Sequence, residues 1–104
     1  MNTQINWETQ IIQEQQTLPK SYNKLIIIDR QPQSVNNPFG GGSCELTPVA
    51  VAVYDMIKGC ELTMATQMDS DYHYKGIRYW TTIFHDGLSW FRKYYPKEYM
   101  ILLD

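Results

Sequence analysis

The sequence predicts a mostly α-helical fold with one or two β-strands near the N-terminus. Three observations support this class. Apolar residues recur at spacings of three and four through the second half of the chain, as they do on a buried helix face. Prolines stand where such stretches begin or end. In the first half, one short run of isoleucines stands beside a loop rich in proline and glycine.

The composition is that of one folded domain. The chain has 104 residues, of which 43% are hydrophobic and 19% charged, so it can bury a modest core. A net charge of −2 argues against a protein built to hold nucleic acid. The longest aliphatic run is too short to cross a membrane, and the first ten residues lack the features of a secretion signal. We expect a protein that is not secreted and has no membrane partner.

The N-terminal segment, residues 1–46, is predicted to be mostly irregular. Trp7, Ile11 and Ile12 fall at helical spacing and indicate a short amphipathic helix. Residues 22–30 contain three consecutive isoleucines, which favour an extended backbone, and are predicted to form a strand. A lone strand needs a hairpin partner or a strand from another copy of the chain. Residues 31–46 are predicted to be a loop.

The helical domain, residues 47–104, is predicted to be a helical hairpin followed by a short helix, forming a single folding unit with the N-terminal segment. Thr47 and Pro48 suit the N-cap and first position of the first helix. The second helix is predicted to run from about Tyr72 to Tyr94, because Pro96 ends it. Pro96 also suits the first position of the last helix.

The glycines at 40–42 raise the possibility of a phosphate-binding loop. Such a loop needs a lysine after its last glycine or a strand directly before its first. Here Ser43, Cys44 and Glu45 follow the glycines, and the isoleucine run ends about ten residues too early. The stretch is therefore interpreted as a flexible connector that binds no phosphate.

Other chemistry-bearing residues give no enzyme pattern. Asp69, Asp71 and His73 alternate as hard metal ligands can, but helix capping by Asp71 is the favoured interpretation. The two cysteines, Cys44 and Cys60, are too few for a four-ligand zinc site and have no evident histidine partner. We predict no catalytic residue, no metal site and no cofactor.

The helix predicted to end at Tyr94 carries two apolar stripes. The first stripe consists of Ile77, Trp80, Phe84, Leu88, Phe91 and Tyr95. The second stripe consists of Tyr72, Tyr79, Ile83, Trp90 and Tyr94. The stripes are centred about 130° apart on a helix that turns about 100° per residue. Two stripes need two partners, and the preceding helix can cover only one of them.

Three roles remain open for the second stripe: internal core, protein interface, or a platform for a small ligand or stacked base. Tyrosine and tryptophan suit an interface because they bury a large area and keep a polar group. Gly76 and Gly87 lie along the edge of the stripe, where a missing side chain permits close approach of another backbone. The second stripe is therefore predicted to mediate self-association into a dimer or a larger oligomer.

The sequences LTPVAVAVYDMIKGCEL (46–62) and GLSWFRKYYPKEYMILLD (87–104) resemble small uncharacterised proteins of tailed phages that infect gut Bacteroidetes, the crAss-like group among them. The resemblance is one of general pattern and carries no site residues. It implies a phage-encoded accessory or virion-associated protein, located in the cytoplasm of the bacterial host or in the virion.

Together these expectations describe a non-enzymatic, self-associating phage accessory protein that binds a partner through an aromatic helix face. One alternative is a structural component of the virion, which would use an N-terminal strand to pair with a neighbour. Another is a counter-defence protein that captures a host enzyme or a small nucleotide-like messenger. The partner is therefore a second copy, a host protein or a small ligand.

Overall fold

The structure is a computed structural model. It describes the backbone of residues 6–66 and 74–103 and the side chains of residues 6–65 and 79–103. Within these ranges the chain is mostly helical, which confirms the predicted class. The elements, in chain order, are α1 (Trp7–Gln15), a 3₁₀ turn (Lys20–Tyr22), β1 (Gln33–Asn36), β2 (Ser43–Leu46), α2 (Pro48–Thr66), α3 (Tyr74–Tyr94) and α4 (Pro96–Leu102).

The N-terminal helix α1 forms where the spacing of apolar residues predicts it. The Asn6 side chain accepts a hydrogen bond from the Thr9 amide at 3.3 Å and so caps the first turn. Ile11 is buried in the core, whereas Ile12 stays exposed. One apolar side is thus enough to hold α1 on the rest of the chain.

The strand predicted for residues 22–30 is wrong. Tyr22 ends the 3₁₀ turn, and residues 25–29 have no regular secondary structure and pair with no strand among the described residues. The predicted loop, residues 31–46, instead contains β1 and β2, which pair antiparallel with Gln33 opposite Leu46. Strand formation needs a hydrogen-bonding partner, and the short hairpin supplies one locally whereas the isoleucine run has none.

The three glycines lie in the turn of this hairpin, so they do not form a connector between separate parts of the chain. Gly40 and Gly42 adopt φ values of +88° and +112°, which residues with a side chain rarely adopt. The Asn37 side chain accepts a hydrogen bond from the Phe39 amide at 2.8 Å, and the Asn37 amide donates to the Gly42 carbonyl. The glycines are explained by turn geometry.

Helix α2 begins as predicted and continues past Gly59. The Thr47 hydroxyl accepts a hydrogen bond from the Ala50 amide at 3.3 Å, which is the N-cap geometry, and Pro48 is the first helical residue. The helix runs on to Thr66 because a single glycine weakens a helix without ending it.

Helices α2 and α3 pack against each other in antiparallel fashion. At one end, the Thr47 hydroxyl lies 3.0 Å from the Tyr95 hydroxyl, just beyond the end of α3. Towards the other end, the Thr81 hydroxyl donates to the Met64 sulfur at 3.5 Å. The predicted helical hairpin is thereby confirmed. The segment that joins the helices, which includes Asp69, Asp71 and His73, lies outside the described residues.

The core is formed mainly by α2 and α3, with contributions from α1, α4 and the N-terminal segment. The most completely buried large side chains are Ile11, Leu46, Val49, Val53, Ile57 and Phe91. The β-hairpin formed by β1 and β2 is attached to α4, because the Asn37 side chain donates a hydrogen bond to the Ile101 carbonyl at 2.9 Å. Among the described helices, none combines the length and apolar character needed to cross a membrane.

Candidate binding groove

The isoleucine run belongs to a surface segment, residues 24–29, that begins in a turn at Lys24 and has no regular secondary structure from Leu25 to Asp29. At its start, the Leu25 amide donates to the Tyr22 carbonyl at 3.1 Å. At its end, the Arg30 guanidinium donates to the Ile27 carbonyl at 3.3 Å and forms two hydrogen bonds with the Glu8 carboxylate. The segment is therefore held at both ends.

The three isoleucines of the segment alternate between exposed and buried. Ile27 points into the core and is 9% exposed, whereas Ile26 and Ile28 on either side of it are 76% and 82% exposed. This alternation is that of a strand with one face on the core. Two large, β-branched apolar side chains are thus left in water on an element that is already extended.

The backbone of the segment is also without partners. Among the residues described, the amides and carbonyls of Ile26, Ile28 and Asp29 form no hydrogen bond with the rest of the chain. Strands β1 and β2 pair with each other and leave no free strand of the described chain beside the segment. Unpaired extended backbone is a template for adding another strand.

A groove of about 430 Å³ runs between this segment and helix α2. The apolar side chains that line it are Leu25, Ile26, Ile28, Pro48, Val51, Ala52, Met56 and Trp80. Gly59 also lines the groove; it is exposed, and no heavy atom lies within 4 Å of the position that a Cβ would take. The groove has one wall of extended chain and one wall of helix, with Trp80 from α3.

Three charged side chains, Lys24, Asp29 and Asp55, also line the groove. Partial burial, and secondarily the nearby charge of Asp29, raise the pKa of the Asp55 carboxyl above its usual value. The two carboxylates therefore repel each other. A cation brought to this part of the groove would be attracted by both.

The second stripe does not form the continuous exposed patch that its spacing predicts. Ile83 and Trp90 are only 3% and 4% exposed and belong to the core, whereas Tyr79 and Tyr94 remain on the surface. Tyr72 lies outside the described residues. The prediction is wrong for Ile83 and Trp90 because the N-terminal segment folds back over this side of α3.

Two hydrogen bonds between side chains help to hold the N-terminal segment on α3. The Trp90 indole donates to the Thr17 hydroxyl at 2.9 Å, and the Ser21 hydroxyl donates to the Asp86 carboxylate at 2.7 Å. These contacts join residues more than sixty positions apart, so no local pattern predicts them.

Gly87 permits close approach, as predicted, but the approaching group belongs to the same chain. A Cβ at Gly87 would overlap the Tyr22 hydroxyl and lie 2.8 Å from a side-chain carbon of Ile57. The Tyr22 hydroxyl donates to the Ile83 carbonyl at 2.8 Å, and burial strongly raises the pKa of this phenol. Gly76 is part of α3, but its surroundings lie outside the described side chains.

Tyr94, an exposed tyrosine of the second stripe, lies beside a second, smaller hollow. Tyr94 packs on Trp90 with ring centroids 5.6 Å apart, and the Lys93 ammonium lies 5.2 Å from the Tyr94 ring centroid. The hollow has a volume of about 220 Å³ and is also lined by Asp86 and Ser89. It is about half the size of the groove, so the groove is the stronger candidate.

Glu14, Thr47 and Tyr95 form the densest polar cluster of the described chain. The Tyr95 hydroxyl donates to the Glu14 carboxylate at 2.7 Å, and the Thr47 hydroxyl donates to the same oxygen at 3.2 Å. Burial raises the pKa of the Tyr95 phenol, which keeps it protonated. Since Thr47 also caps α2, the cluster joins α1 to the start of α2 and the end of α3, which lie at the same end of the helical hairpin, and has a structural explanation.

Cys44 and Cys60 are both free thiols, and neither forms a hydrogen bond with the Glu14 carboxylate. Cys60 is fully buried, whereas Cys44 is partly exposed. Burial raises the pKa of both thiols, so the reactive thiolate is disfavoured at neutral pH. Among the described residues, no group of three histidine, cysteine or acidic side chains is placed to hold a metal ion.

The chain matches no protein-family model, and it has no match among curated proteins or among solved structures. Its own geometry therefore carries the functional argument. Sequence reasoning identified the isoleucine run as the segment in need of a strand partner, but it placed the binding surface on the second stripe. The groove was missed because it is formed by residues from three separate parts of the chain.

Proposed function

We propose that this protein is a non-enzymatic binding protein whose groove receives an extended apolar segment that carries a basic residue. The observation that carries the proposal is the extended segment 24–29, which combines unpaired backbone with exposed Ile26 and Ile28. An added strand would satisfy the backbone of this segment. Its side chains would pack on Met56 and Trp80 in the groove.

The chemistry of the groove selects the kind of segment that fits. Burial of a large aliphatic side chain is worth about 1.5–3 kcal/mol, so covering Ile26 and Ile28 supplies a substantial driving force. Main-chain hydrogen bonds set the orientation of the added strand. A lysine or arginine near one end of that strand would lie between Asp29 and Asp55 and relieve their repulsion.

The absence of an enzymatic role is part of this proposal. It is supported by the positions of the polar groups, since Glu14, Thr47 and Tyr95 hold the helices together. The thiols of Cys44 and Cys60 have raised pKa values and are poor nucleophiles. The aromatic helix takes part in binding through Trp80, a residue of the first stripe, and not through the buried part of the second.

A phage accessory role in the host cytoplasm remains a proposal supported by the sequence resemblance. A structural component of the virion is the second candidate, because adding strands between copies is a means of assembly and the isoleucine segment offers such an edge. Mass spectrometry of purified particles separates these two roles. Presence in stoichiometric amounts favours the virion component, and absence favours the accessory role.

The binding proposal is tested by titrating the protein with a short peptide in which valine and threonine alternate between terminal lysines. We expect chemical shift changes in the amides of residues 26–29 and in the Trp80 indole N–H. The control peptide has proline at every second position, which removes the donors that strand pairing needs. Equal shifts with both peptides, or no shift in residues 26–29, would contradict the proposal.

A matched pair of variants localises the site. Ile26→Lys changes an exposed residue of the groove, and Ile12→Lys changes an exposed isoleucine of α1 that does not line it. We expect the first variant to lose peptide binding and the second to retain it. Loss in both variants would show that general surface hydrophobicity, not the groove, drives binding.

A further inference from the structure

We propose that Glu8 and Arg30 form a clamp that fixes segment 24–29 as one wall of the groove, so that both act as positioning residues for binding. This inference rests on the proposed function and says how its site is kept in shape. Neither residue lines the groove, so each acts on a bound segment through the position of the wall. Their hydrogen bonds join the end of segment 24–29 to the first turn of α1.

The Arg30 guanidinium contacts two separate parts of the chain. Its Nε donates to Glu8 Oε1 at 3.1 Å, and its Nη2 donates to Glu8 Oε2. Its Nη1 donates to the Ile27 carbonyl at 3.3 Å. The planar guanidinium presents these donors in a fixed geometry, so it sets the position of Ile27 relative to Glu8.

Glu8 is a firm anchor for the clamp. It lies in the first turn of α1, which the Asn6 side chain caps by accepting a hydrogen bond from the Thr9 amide. Ile11, one turn further along, is buried and holds the helix on the core. The clamp therefore joins Ile27 to an element whose own position is set by capping and packing.

The wall of the groove depends on the position of Ile27. Ile26 and Ile28, on either side of it, line the groove, whereas Ile27 is buried in the core. Residues 25–29 have no regular secondary structure, so no strand pairing holds them. Without the clamp, the segment keeps the burial of Ile27 but loses its fixed end at Arg30.

The clamp is expected to control binding more than global stability. The Arg30 and Glu8 side chains are 49% and 60% exposed, and an ion pair this exposed contributes little to the free energy of unfolding. A wall that is already in position, by contrast, lowers the conformational entropy that binding must remove from the segment. Loss of the clamp should therefore weaken binding while the fold persists.

Two single variants remove the clamp in different ways. Glu8→Gln keeps the size of the side chain but removes its charge, and Arg30→Lys keeps the charge but removes the planar guanidinium. We expect each variant to weaken binding of the valine–threonine peptide by about three- to tenfold. The double variant should bind no more weakly than the weaker single variant, because both substitutions remove the same clamp.

Glu61→Gln is the matched control. Glu61 forms the other ion pair among the described residues, with Lys58 at 3.5 Å, and neither of these residues lines the groove. The substitution changes the net charge by the same amount as Glu8→Gln, so it accounts for long-range attraction of the peptide's lysines. It should leave the affinity for the peptide unchanged.

Limited cleavage by trypsin after Arg30 measures the clamp without any peptide. Trypsin must bind the Arg30 side chain, so cleavage requires this side chain to leave Glu8. Since cleavage of a transiently opened site follows the population of the open form, we expect Glu8→Gln to be cleaved at Arg30 about threefold faster or more. Glu61→Gln should be cleaved at the wild-type rate, and urea unfolding should show nearly the same midpoint in both variants.

Unchanged peptide affinity in Glu8→Gln and Arg30→Lys would overturn this inference, and so would losses that add fully in the double variant. An equal loss in Glu61→Gln would assign the effect to net charge and not to the clamp. If the wild type binds no peptide, the proposed function fails, and the cleavage rates still decide whether the segment is clamped. Faster cleavage in Glu8→Gln supports the clamp, and equal rates contradict it.

Discussion

The Tyr22 hydroxyl lies directly over Gly87 and donates a hydrogen bond to the carbonyl of Ile83, one turn earlier in α3, at 2.8 Å. Only a residue without a side chain leaves room for the phenol at this position. The contact fixes the N-terminal segment against the helical hairpin. It thereby sets where segment 24–29 begins, because the Leu25 amide donates a hydrogen bond to the Tyr22 carbonyl.

Gly87→Ala is therefore expected to destabilise the protein, although alanine is the better helix former. The added Cβ would overlap the Tyr22 hydroxyl and lie 2.8 Å from Ile57, and relieving such contacts costs about 1–3 kcal/mol. Urea unfolding followed by circular dichroism measures the loss.

Gly59→Ala is the matched control. Gly59 also lies inside a helix, but a Cβ there meets nothing within 4 Å. This variant is expected to gain about 0.5–1 kcal/mol from helix propensity alone. If both variants were stabilised equally, the close contact between Tyr22 and Gly87 would be wrong.

Trp90→Ala is expected to lower stability severely because the side chain is almost fully buried and its indole donates to Thr17. Removal of a buried tryptophan costs about 3–5 kcal/mol. Tyr94→Ala, at the exposed position one turn later, should stay within about 1 kcal/mol of the wild type. Thermal unfolding compares the two. A stable Trp90→Ala variant with an altered mass in solution would restore the second stripe as an interface.

Local signals were sufficient to predict the helices. Thr47 caps α2, and Pro48 and Pro96 are the first residues of α2 and α4, so both starts depend only on neighbouring residues. Helical periodicity likewise predicted which apolar residues of α3 lie on the same face of the helix. It could not predict what covers them, because burial of Trp90 depends on Thr17, which is 73 residues away.

The strands were the weakest part of the prediction for a related reason. The isoleucine run has the strongest β-propensity in the chain, yet propensity becomes a strand only where a partner supplies hydrogen bonds. Asn37, Gly40 and Gly42 supply a turn that brings β1 and β2 together. The groove escaped prediction because its walls come from the segment, α2 and Trp80 of α3.

Stability at neutral pH should increase when Asp55 is replaced by asparagine. Burial and the charge of Asp29 raise the pKa of Asp55 in the folded state, so the folded state holds this proton more tightly than the unfolded chain. The ionised form is therefore penalised by folding. The penalty grows as pH rises from the usual carboxyl pKa to the raised pKa of the folded state, and it is constant at higher pH.

The gain from Asp55→Asn is accordingly expected at pH 7 and should vanish at about pH 3, where the carboxyl is protonated in both states. Urea unfolding at both pH values, at protein concentrations low enough to keep single copies, measures it. Asp29→Asn should give a smaller gain, because burial is the larger cause of the shift. A gain that persists unchanged at low pH would contradict the electrostatic explanation.

Cys60 and Cys44 should respond differently to replacement by serine. Cys60 is fully buried, and a serine hydroxyl there would lose its hydration, which costs about 1–3 kcal/mol. Cys44 is partly exposed, so its replacement should change stability by less than about 1 kcal/mol. Chemical unfolding measures both, and peptide binding should persist in each folded variant. Loss of binding with stability retained would point to a direct role for a thiol.

Amide hydrogen exchange of residues 26–29 tests the central claim most directly. The backbone of Ile26, Ile28 and Asp29 is unpaired in the single chain, so these amides should exchange freely at high dilution. If the groove binds an extended segment, alternate amides of residues 26–29 become protected as the valine–threonine peptide is titrated in. Free exchange in this segment when the protein is saturated with peptide would contradict the account.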